Sequence, residues 1–299
     1  MRVLVTGAAG FFGRHLCRHL AAAGDTVVGT RMRGERGLDG FETHDLDVRD
    51  APAVAALVGD LKPDAVVHLA ALSHVGESWR HPEAYFQANV LGAEAVFQAA
   101  GAARVVFVSS AEVYGNVDES EQPISDLAPL APRSPYALTK AAAERLGLAR
   151  GVVVARCFNL VGPGQAPTFA LPSFAGQLAA IGRGEREPLL RVGNLSARRD
   201  YVHVDDAAEA LRLLLVQGAP ATTYNVASGE ARSIGELLER LIALSGLAVQ
   251  VEPDPSLLRP IDTPLLCGSA ERLTALGWSP RRSLDVALAE LWAAARAGG

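Results

Sequence analysis

The sequence predicts an α/β fold built on a parallel sheet with helices on both faces. In the first half of the chain, short β-branched runs alternate with longer segments rich in Ala and Leu, the pattern of successive βαβ units. Runs such as residues 105–108 are apolar throughout, which is typical of strands covered on both faces. A glycine-rich segment also separates the first strand from the first helix. These features indicate a Rossmann-type doubly wound parallel sheet.

The predicted elements follow from hydrophobic periodicity. The predicted strands are residues 3–6, 26–30, 65–69, 105–109 and 152–157. The predicted helices between them are residues 10–23, 51–59, 82–100 and 135–149. Because ligands bind beyond the carboxyl ends of the strands in such sheets, the residues that follow these strands are the candidates for function.

The second half of the chain predicts a smaller C-terminal α/β lobe. The alternation breaks after Gly162, and a helix at 204–216 with a strand at 222–226 indicates a return to the sheet. We therefore expect a larger domain of residues 1–161 plus about 197–229. The smaller lobe comprises about 162–196 plus 230–299, with predicted helices near 174–181, 234–245 and 284–295.

Composition favours small-molecule chemistry. The 299 residues are 49% hydrophobic, carry a net charge of -5 and contain no basic run, which argues against nucleic acid and anionic membranes as partners. No window approaches the roughly 20 apolar residues of a spanning helix, and because the N-terminus lacks a charged leader with a long apolar stretch we expect no signal peptide. We expect a cytoplasmic protein. Cys17, Cys157 and Cys267 are too far apart to indicate a disulfide framework or a metal site.

The glycine-rich segment predicts a dinucleotide site. In it, Gly7 permits a tight turn, Gly10 lets the backbone approach a pyrophosphate, and Gly13 allows close packing of helix on strand. The N–H groups at the start of the helix, where Phe11 and Phe12 lie, then face the phosphates. The alternative is an ordinary glycine-rich turn. The position inside a βαβ pattern favours the dinucleotide, so the larger domain is the predicted cofactor domain.

The end of the second strand indicates which dinucleotide is bound. An acidic residue there favours NAD, and an arginine favours the 2′-phosphate of NADP. This sequence has Arg31 and Arg33 and no carboxylate at that point. The prediction is NADP(H), with NAD less favoured and a pair of solvated loop arginines as the alternative.

Tyr136 and Lys140 form the second candidate constellation. They lie one turn apart on one face of the predicted helix that follows Pro135. A free tyrosine has a pKa of about 10, and a nearby ammonium pulls that pKa toward neutrality. Tyr-x-x-x-Lys also occurs by chance on surface helices. The chain has only one other lysine, Lys62, which makes chance a weaker explanation.

Ser110 and Glu112 follow the predicted strand at 105–109. A serine hydroxyl at this edge can hydrogen-bond a substrate oxygen that gains a proton, although serine also caps turns. Glu112 is a candidate second acid or base, with a solvated loop glutamate as the alternative.

These constellations, in this order and at these separations, resemble the extended short-chain dehydrogenase/reductase family over nearly the whole chain. The resemblance implies catalytic roles for Ser110, Tyr136 and Lys140, with Lys140 also holding the nicotinamide ribose, and it implies a homodimer. It further implies cofactor contacts at Asp47, Val48, Leu69, Ala70, Ala71, Asn89 and Phe158. Sugar-nucleotide contacts are implied at Ser73, Asn159, Arg199, Arg259 and Asp262. No metal is expected.

Within the family, the sequence is most similar to GDP-6-deoxy-4-keto-mannose reductases and GDP-mannose 4,6-dehydratases. Ala111 stands where dehydratases usually place a polar or acidic residue, which disfavours dehydration. The expected activity is NADPH-dependent reduction of the 4-keto group of a nucleotide-activated 6-deoxysugar. The alternatives are a nucleotide-sugar 4-epimerase, against which Arg31 argues, a 4,6-dehydratase, and a dinucleotide-binding sensor or scaffold without turnover.

Overall fold

A computed structural model describes residues 1–258 and 262–298. The strands, in chain order, are β1 (Arg2–Thr6), β2 (Thr26–Arg31), β3 (Glu42–Asp45), β4 (Ala65–His68), β5 (Arg104–Ser110), β6 (Val153–Cys157), β7 (Asn159–Val161), β8 (Leu189–Val192), β9 (Arg198–His203), β10 (Thr223–Val226), β11 (Ala231–Ser233), β12 (Gln250–Pro253) and β13 (Leu265–Leu266).

The helices are α1 (Phe11–Ala22), α2 (Ala51–Leu61), α3 (Val75–Ser78), α4 (Pro82–Phe86), α5 (Gly92–Ala100), α6 (Pro135–Leu148), α7 (Ala170–Gly182), α8 (Val204–Gln217), α9 (Ile234–Ser245), α10 (Glu271–Ala275) and α11 (Leu284–Ala297). A π-helical turn, Gln87–Leu91, joins α4 to α5. A 3₁₀ turn, Ala111–Tyr114, follows β5.

In the described part of the chain, seven strands form one sheet in the order β10-β6-β5-β4-β1-β2-β3. Every pairing in this sheet is parallel. Apolar residues of α1 and α8 cover one face, and those of α2, α5 and α6 cover the other. The predicted doubly wound parallel sheet is therefore confirmed.

The second lobe is built around β9. This strand pairs with β7 and β13 in parallel and with β11 in antiparallel orientation, and β8 pairs separately with β12. Helices α7, α9 and α11 enclose a separate apolar core that includes Leu178, Leu237 and Trp292.

The main differences from the predicted elements are short strands. The sequence Glu-Thr-His-Asp of β3 is polar because β3 is an edge strand, so it has no hydrophobic signature. Strands β7 and β9 belong to the second lobe's sheet, although the expected boundaries placed both in the larger domain. Helix α8 and strand β10 do return to the large sheet as predicted.

Across residues 1–258 and 262–298, none of the helices has the length and apolar character needed to cross a membrane.

Candidate active site

The glycine-rich turn brings backbone against backbone. Gly7 has a φ of +70°, and a Cβ there would lie 2.9 Å from backbone atoms of Ala70. A Cβ at Gly13 would lie 2.5 Å from the Gly7 carbonyl oxygen, and one at Gly10 would lie 3.3 Å from the same oxygen. The close packing predicted at Gly13 is therefore present, and side chains at Gly7 or Gly13 would separate β1, β4 and α1.

The start of α1 is open to an anion. Gly10 is the N-cap residue of α1, and among the described residues no side chain caps its first N–H groups. Its first turn, which contains Phe11, Phe12 and Gly13, carries no acidic residue. Unpaired N–H groups and the helix dipole favour a phosphate at this position. The turn therefore fits the pyrophosphate of a dinucleotide.

Thr6 links the glycine-rich turn to the end of β4. Its Oγ1 lies 2.7 Å from Nδ1 of His68 and accepts a hydrogen bond from the Ala70 N–H at 3.3 Å. The half-buried segment of Leu69, Ala70 and Ala71 is thereby held beside Gly7. Sequence reasoning missed Thr6, although a hydroxyl at the end of a buried strand next to a glycine motif was an available signal.

The predicted 2′-phosphate site lies at the end of β2, where Arg31 is the half-buried last residue of the strand and Arg33 is in the turn that follows. Nε of Arg31 donates to the Asp45 carboxylate at 2.8 Å, so Arg31 is already paired with an acid on β3. Arg33 is exposed, and no hydrogen bond or ion pair engages it within the described ranges. Arg14, on α1, donates to the carbonyl oxygens of Ala9 and Arg36 and so ties this loop to the glycine-rich turn.

Asp47 and Val48 lie after β3. The Asp47 carboxylate accepts from Arg49, which lowers the pKa of Asp47 below its ordinary value. Val48 is buried, and Gly92 packs against its side chain so closely that a Cβ at Gly92 would lie 2.8 Å from it. The structure therefore gives Val48 a packing role and gives Asp47 an intrachain partner.

Tyr136 and Ser110 meet at the carboxyl edge of the sheet. The Oγ of Ser134 accepts from the Ala137 N–H at 3.1 Å, which caps α6 and starts the helix at Pro135. Tyr136 is 8% exposed and forms a side-chain hydrogen bond with Ser110. Burial is the main influence on the pKa of Tyr136 and raises it above the ordinary value, whereas the hydrogen bond with Ser110 lowers it. The phenol is therefore protonated at neutral pH.

Lys140 lies one turn further along α6 and is 3% exposed. Burial lowers the pKa of Lys140 to about 8, and the carboxylate of Glu144 opposes this shift. We expected Lys140 to lower the pKa of Tyr136. In the structure burial is the largest influence and raises the pKa of Tyr136, nearby negative groups such as Glu112 raise it further, and Ser110 is the side chain that lowers it.

Glu112 and Cys157 complete this edge. Ser110 and Cys157 are register partners on β5 and β6. Glu112 is half-buried, and its negative charge raises the pKa of Tyr136. Burial raises the pKa of the Cys157 thiol to about 12, so this cysteine is neutral and unreactive.

Asn89 and Phe158 have internal roles. Asn89 lies in the π-helical turn; its Oδ1 accepts from the Leu72 N–H at 2.8 Å, and its Nδ2 donates to the carbonyl oxygen of Leu72 and to Thr139. Phe158 is 3% exposed and packs in an apolar cluster with Tyr114. We expected cofactor contacts from both residues. In the structure the Asn89 amide links the segment after β4 to α6. The Phe158 ring is part of the apolar core.

The predicted substrate contacts lie in both lobes, since Ser73 follows β4 of the large sheet whereas Asn159 and Arg199 belong to β7 and β9. Nη2 of Arg199 donates to Asp262 at 2.5 Å, and Asp262 also accepts from Asn194 at 2.8 Å. This ion pair means that Arg199 and Asp262 engage each other. Asn159 is half-buried and Ser73 is exposed, and no hydrogen bond to either side chain exists in the described part of the chain. Arg259 lies outside the described residues.

No group of three or more His, Cys, Asp or Glu side chains in residues 1–258 and 262–298 is arranged to hold a metal ion. The chemistry available is that of a protonated tyrosine, a serine hydroxyl and a buried lysine, and the fold also carries a glycine-rich turn whose uncapped helix start suits a phosphate. This combination of fold and site defines the class of extended short-chain dehydrogenases and reductases.

Comparison with known proteins agrees with this class. Residues 4–291 match the sequence profile of the family GDP-mannose 4,6 dehydratase. The chain is 35% identical to GDP-6-deoxy-D-mannose reductase of Pseudomonas aeruginosa, over 96% of this chain and 94% of that protein. It is 31% identical to dTDP-glucose 4,6-dehydratase of Streptomyces antibioticus, over 97% of this chain and 90% of that protein.

Solved structures agree as well. RMD from Pseudomonas aeruginosa complexed with NADPH superposes with a TM-score of 0.89 at 34% identity, covering 100% of this chain and 99% of that chain. The UDP-glucose 4-epimerase of Thermus thermophilus in complex with NAD superposes with a TM-score of 0.89 at 32% identity, covering 99% of both chains. The chain therefore belongs to the GDP-mannose 4,6-dehydratase family of extended short-chain dehydrogenases/reductases. The similar proteins named above are enzymes, and the two solved structures hold a nicotinamide dinucleotide.

Proposed function

We propose that this protein is an NADPH-dependent reductase of the 4-keto group of a nucleotide-activated 6-deoxysugar, of the GDP-4-keto-6-deoxymannose type. The observation that carries the proposal is the buried, protonated Tyr136 hydrogen-bonded to Ser110. A reductase needs a proton donor at the oxygen that becomes an alkoxide, and a phenol with a raised pKa holds its proton until that charge develops. The reductase of Pseudomonas aeruginosa supports the same substrate class.

Each residue of the candidate active site has its own role in the proposed reaction. When bound, NADPH supplies the hydride that reduces C4. Tyr136 donates its proton to the C4 oxygen, and Ser110 donates a hydrogen bond to the same oxygen, which stabilises the developing charge. Lys140 would hold the nicotinamide ribose and place positive charge beside Tyr136 when it is protonated. Glu112 is a second candidate acid or base at this edge.

The cofactor would be held along the carboxyl edge of the large sheet. Gly7, Gly10 and Gly13, with the N–H groups of Phe11 and Phe12, would bind the pyrophosphate. Arg31 and Arg33 would bind the 2′-phosphate, which favours NADPH over NAD. The NADPH-bound structure of RMD supports this preference, whereas the NAD complex of the Thermus epimerase shows that the fold also accepts NAD. The rest of the cofactor-binding site would be lined by backbone or side-chain groups of Asp47, Val48, Leu69, Ala70, Ala71 and Asn89.

The substrate would lie between the large sheet and the second lobe. We propose that the first lobe binds the cofactor and that the second lobe supplies most of the contacts to the sugar nucleotide, with Ser73 contributing from the first lobe. Ser73 and Asn159 would contact the sugar, since neither is engaged by another side chain within the described ranges. Arg199, in contact with Asp262, would contribute to binding the diphosphate. Arg259 is a further candidate from the sequence.

Steady-state NADPH oxidation with GDP-4-keto-6-deoxymannose tests the proposal. We expect turnover with NADPH, weaker turnover with NADH, and none without the sugar. A folded protein that binds NADPH but never consumes it with this sugar would contradict the reductase and would favour a sensor or scaffold.

Glu112 favours 4,6-dehydration as a second candidate. Its carboxylate lies close enough to Tyr136 to raise the pKa of that phenol, so an acid or base is available beside the proton donor. A dehydratase needs such a group to remove water across C5 and C6. Conversion of GDP-mannose to a 4-keto-6-deoxy product without net consumption of the cofactor would favour this candidate.

We propose a homodimer formed through α4–α5 and α6. The exposed apolar residues Phe86, Leu91 and Leu138 lie on the π-joined helix and on α6, which pack against each other. The Ala-rich faces, such as Ala93 and Ala143, are instead buried within the chain. Light scattering of the protein and of Leu138→Glu tests this, with a dimer expected for the first and a shift toward monomer for the second.

We propose a cytoplasmic location. The three cysteines, Cys17, Cys157 and Cys267, are all free and buried, which suits a reducing compartment. Fractionation of the producing cell tests this proposal, and recovery of the protein outside the cytoplasm would contradict it.

A further inference from the structure

His15 joins three segments of the chain through its two ring nitrogens. It lies on α1 with 7% exposure. Its Nδ1 lies 2.6 Å from a carboxylate oxygen of Asp205, in the first turn of α8. Its Nε2 lies 3.0 Å from the carbonyl oxygen of Pro163, in the loop that follows β7.

The identity of the two partners determines the charge of His15. A backbone carbonyl only accepts hydrogen bonds, so Nε2 must carry a proton. An ionised carboxylate also only accepts, and the hydrogen bond with His15 holds the pKa of Asp205 below its ordinary value. Two acceptors require two donors, and only the imidazolium has a proton on both nitrogens.

His203 also lies next to Asp205, but its two ring nitrogens face one donor and one acceptor. Its Nδ1 accepts the backbone N–H of Asp205 at 3.1 Å, so this nitrogen is unprotonated. Its Nε2 therefore donates to the Glu290 carboxylate at 3.1 Å, and His203 is neutral. The same Asp205 thus contacts one charged and one neutral histidine.

The loop that His15 holds lies beside both halves of the candidate site. A Cβ at Gly162 would lie 2.5 Å from Val204 and 3.9 Å from the ring of Phe11, the first residue of α1. The ring of Phe11 also packs edge-on against His15, with 5.5 Å between centroids. The loop continues from β7, which begins two residues after Cys157 at the catalytic edge. His15 therefore sets the distance between the glycine-rich turn and this loop.

We propose that the His15 imidazolium is a positioning residue that holds the loop at 162–165 against α1, and that its deprotonation weakens binding of the dinucleotide and the substrate. A neutral His15 has one N–H group, which the Asp205 carboxylate retains as the stronger acceptor. The Pro163 carbonyl then faces a lone pair, and the loop loses its hydrogen bond to α1. The kinetic part of this inference rests on the proposed reductase function.

His15 borders an open cavity through which protons can reach it, and both basic and acidic side chains line that cavity. It lines a cavity of about 440 Å³ with Arg18 and His19 of α1, Pro163, Asp205, Arg282 and Glu290. Arg282 is engaged by Asp206 and Glu209, and the pKa of His19 is lowered, chiefly by burial. Asp205 is thus the acid that directly contacts His15, while Arg18 and Arg282 oppose its charge.

Nitrogen-detected NMR of the imidazole rings tests the charge state without any turnover. In wild type at pH 6, we expect both ring nitrogens of His15 to be protonated and Nδ1 of His203 to be unprotonated, with assignment by comparison to His15→Gln. A His15 ring with a single protonated nitrogen at pH 6 would overturn the proposal, whatever reaction the protein catalyses.

The binding arm measures the Kd of NADPH by fluorescence and the KM of the sugar nucleotide at pH 6 and at pH 9. We expect His15→Gln to raise the Kd about tenfold at pH 6, the lower range for a lost hydrogen bond to a charged group, and to match wild type at pH 9. Lys140 also titrates between these pH values, but it does so in both wild type and His15→Gln. The ratio of the Kd values of the two proteins at each pH therefore reports the effect of His15 alone. His19→Gln, on the same helix and lining the same cavity, is the control and should keep the wild-type constants. An equal ratio at both pH values, or an unchanged Kd, would overturn the proposal.

Discussion

Nζ of Lys140 lies 4.2 Å from the centre of the Phe107 ring, inside a site from which water is excluded. The π-face of the ring offsets part of the cost of burying the ammonium. The remaining cost appears in the pKa of Lys140, which burial lowers to about 8. The protein therefore carries a charged group whose folded environment disfavours its charge.

We predict that Lys140→Met stabilises the protein in the absence of nucleotide while abolishing turnover. The pKa falls from 10.5 in the unfolded chain to about 8 in the folded one, so the folded state binds fewer protons between these values. Wild-type stability therefore rises with pH through that window. Below pH 8 the destabilisation is complete and is on the order of 3 kcal/mol, and Lys140→Met removes it.

Urea unfolding at pH 7 and at pH 10 measures this effect, with Lys62→Met as the control. Lys62 is the only other lysine and is exposed, so its replacement should leave the free energy of unfolding unchanged. The gain from Lys140→Met should be largest at pH 7 and mostly lost at pH 10. A gain that is the same at both pH values would mean that packing, and not charge, is responsible.

We predict that Tyr136→Phe lowers kcat by about 10² to 10⁴, the usual contribution of a general acid, and leaves NADPH affinity unchanged. The matched control is Tyr85→Phe. The Tyr85 ring packs edge-on against Tyr136 with 6.4 Å between centroids, and its hydroxyl donates to the carbonyl oxygen of His74 at 2.6 Å. Loss of that hydroxyl should cost stability but little of kcat. Equal losses of kcat in the two variants would remove Tyr136 from the role of proton donor.

We predict that Arg31→Ala and Arg33→Ala each raise the KM for NADPH by about 10- to 100-fold, because each loses a charge-assisted contact with the 2′-phosphate. The KM for NADH should not change. Arg36→Ala is the control, since Arg36 pairs with Asp39 and both side chains are more than four-fifths exposed. If the KM values for both cofactors rise together, these arginines act on the loop and not on the phosphate.

We predict that Gly13→Ala destabilises the protein by about 1–3 kcal/mol or more, because its Cβ would overlap the backbone of Gly7 and Ala8. Gly59→Ala is the control, because Gly59 lies within α2 and a Cβ there meets no atom within 4 Å among the described residues. That substitution should stabilise the protein by about 0.4–1 kcal/mol. Thermal unfolding compares the two, and similar Tm values would show that α1 can move away from β1.

Much of the fold and site was predictable because it depends on local patterns. Alternating periodicity predicted the large sheet, and helix α9 was predicted at its observed residues. The glycine spacing predicted the packing at Gly13, and the interval from Tyr136 to Lys140 placed both side chains on the inner face of α6. The short polar strand β3 escaped prediction because an edge strand needs no hydrophobic alternation.

The sequence by itself determined which chemical groups the protein carries and which of them share a turn or a helix face, since those relationships depend on spacing of a few residues. Only the tertiary structure decided how the groups behave. It pairs Arg199 with Asp262, buries Tyr136 so that its pKa rises, and places two acceptors around His15. Partners distant in sequence and exclusion from water set these properties, and neither is written in the local pattern.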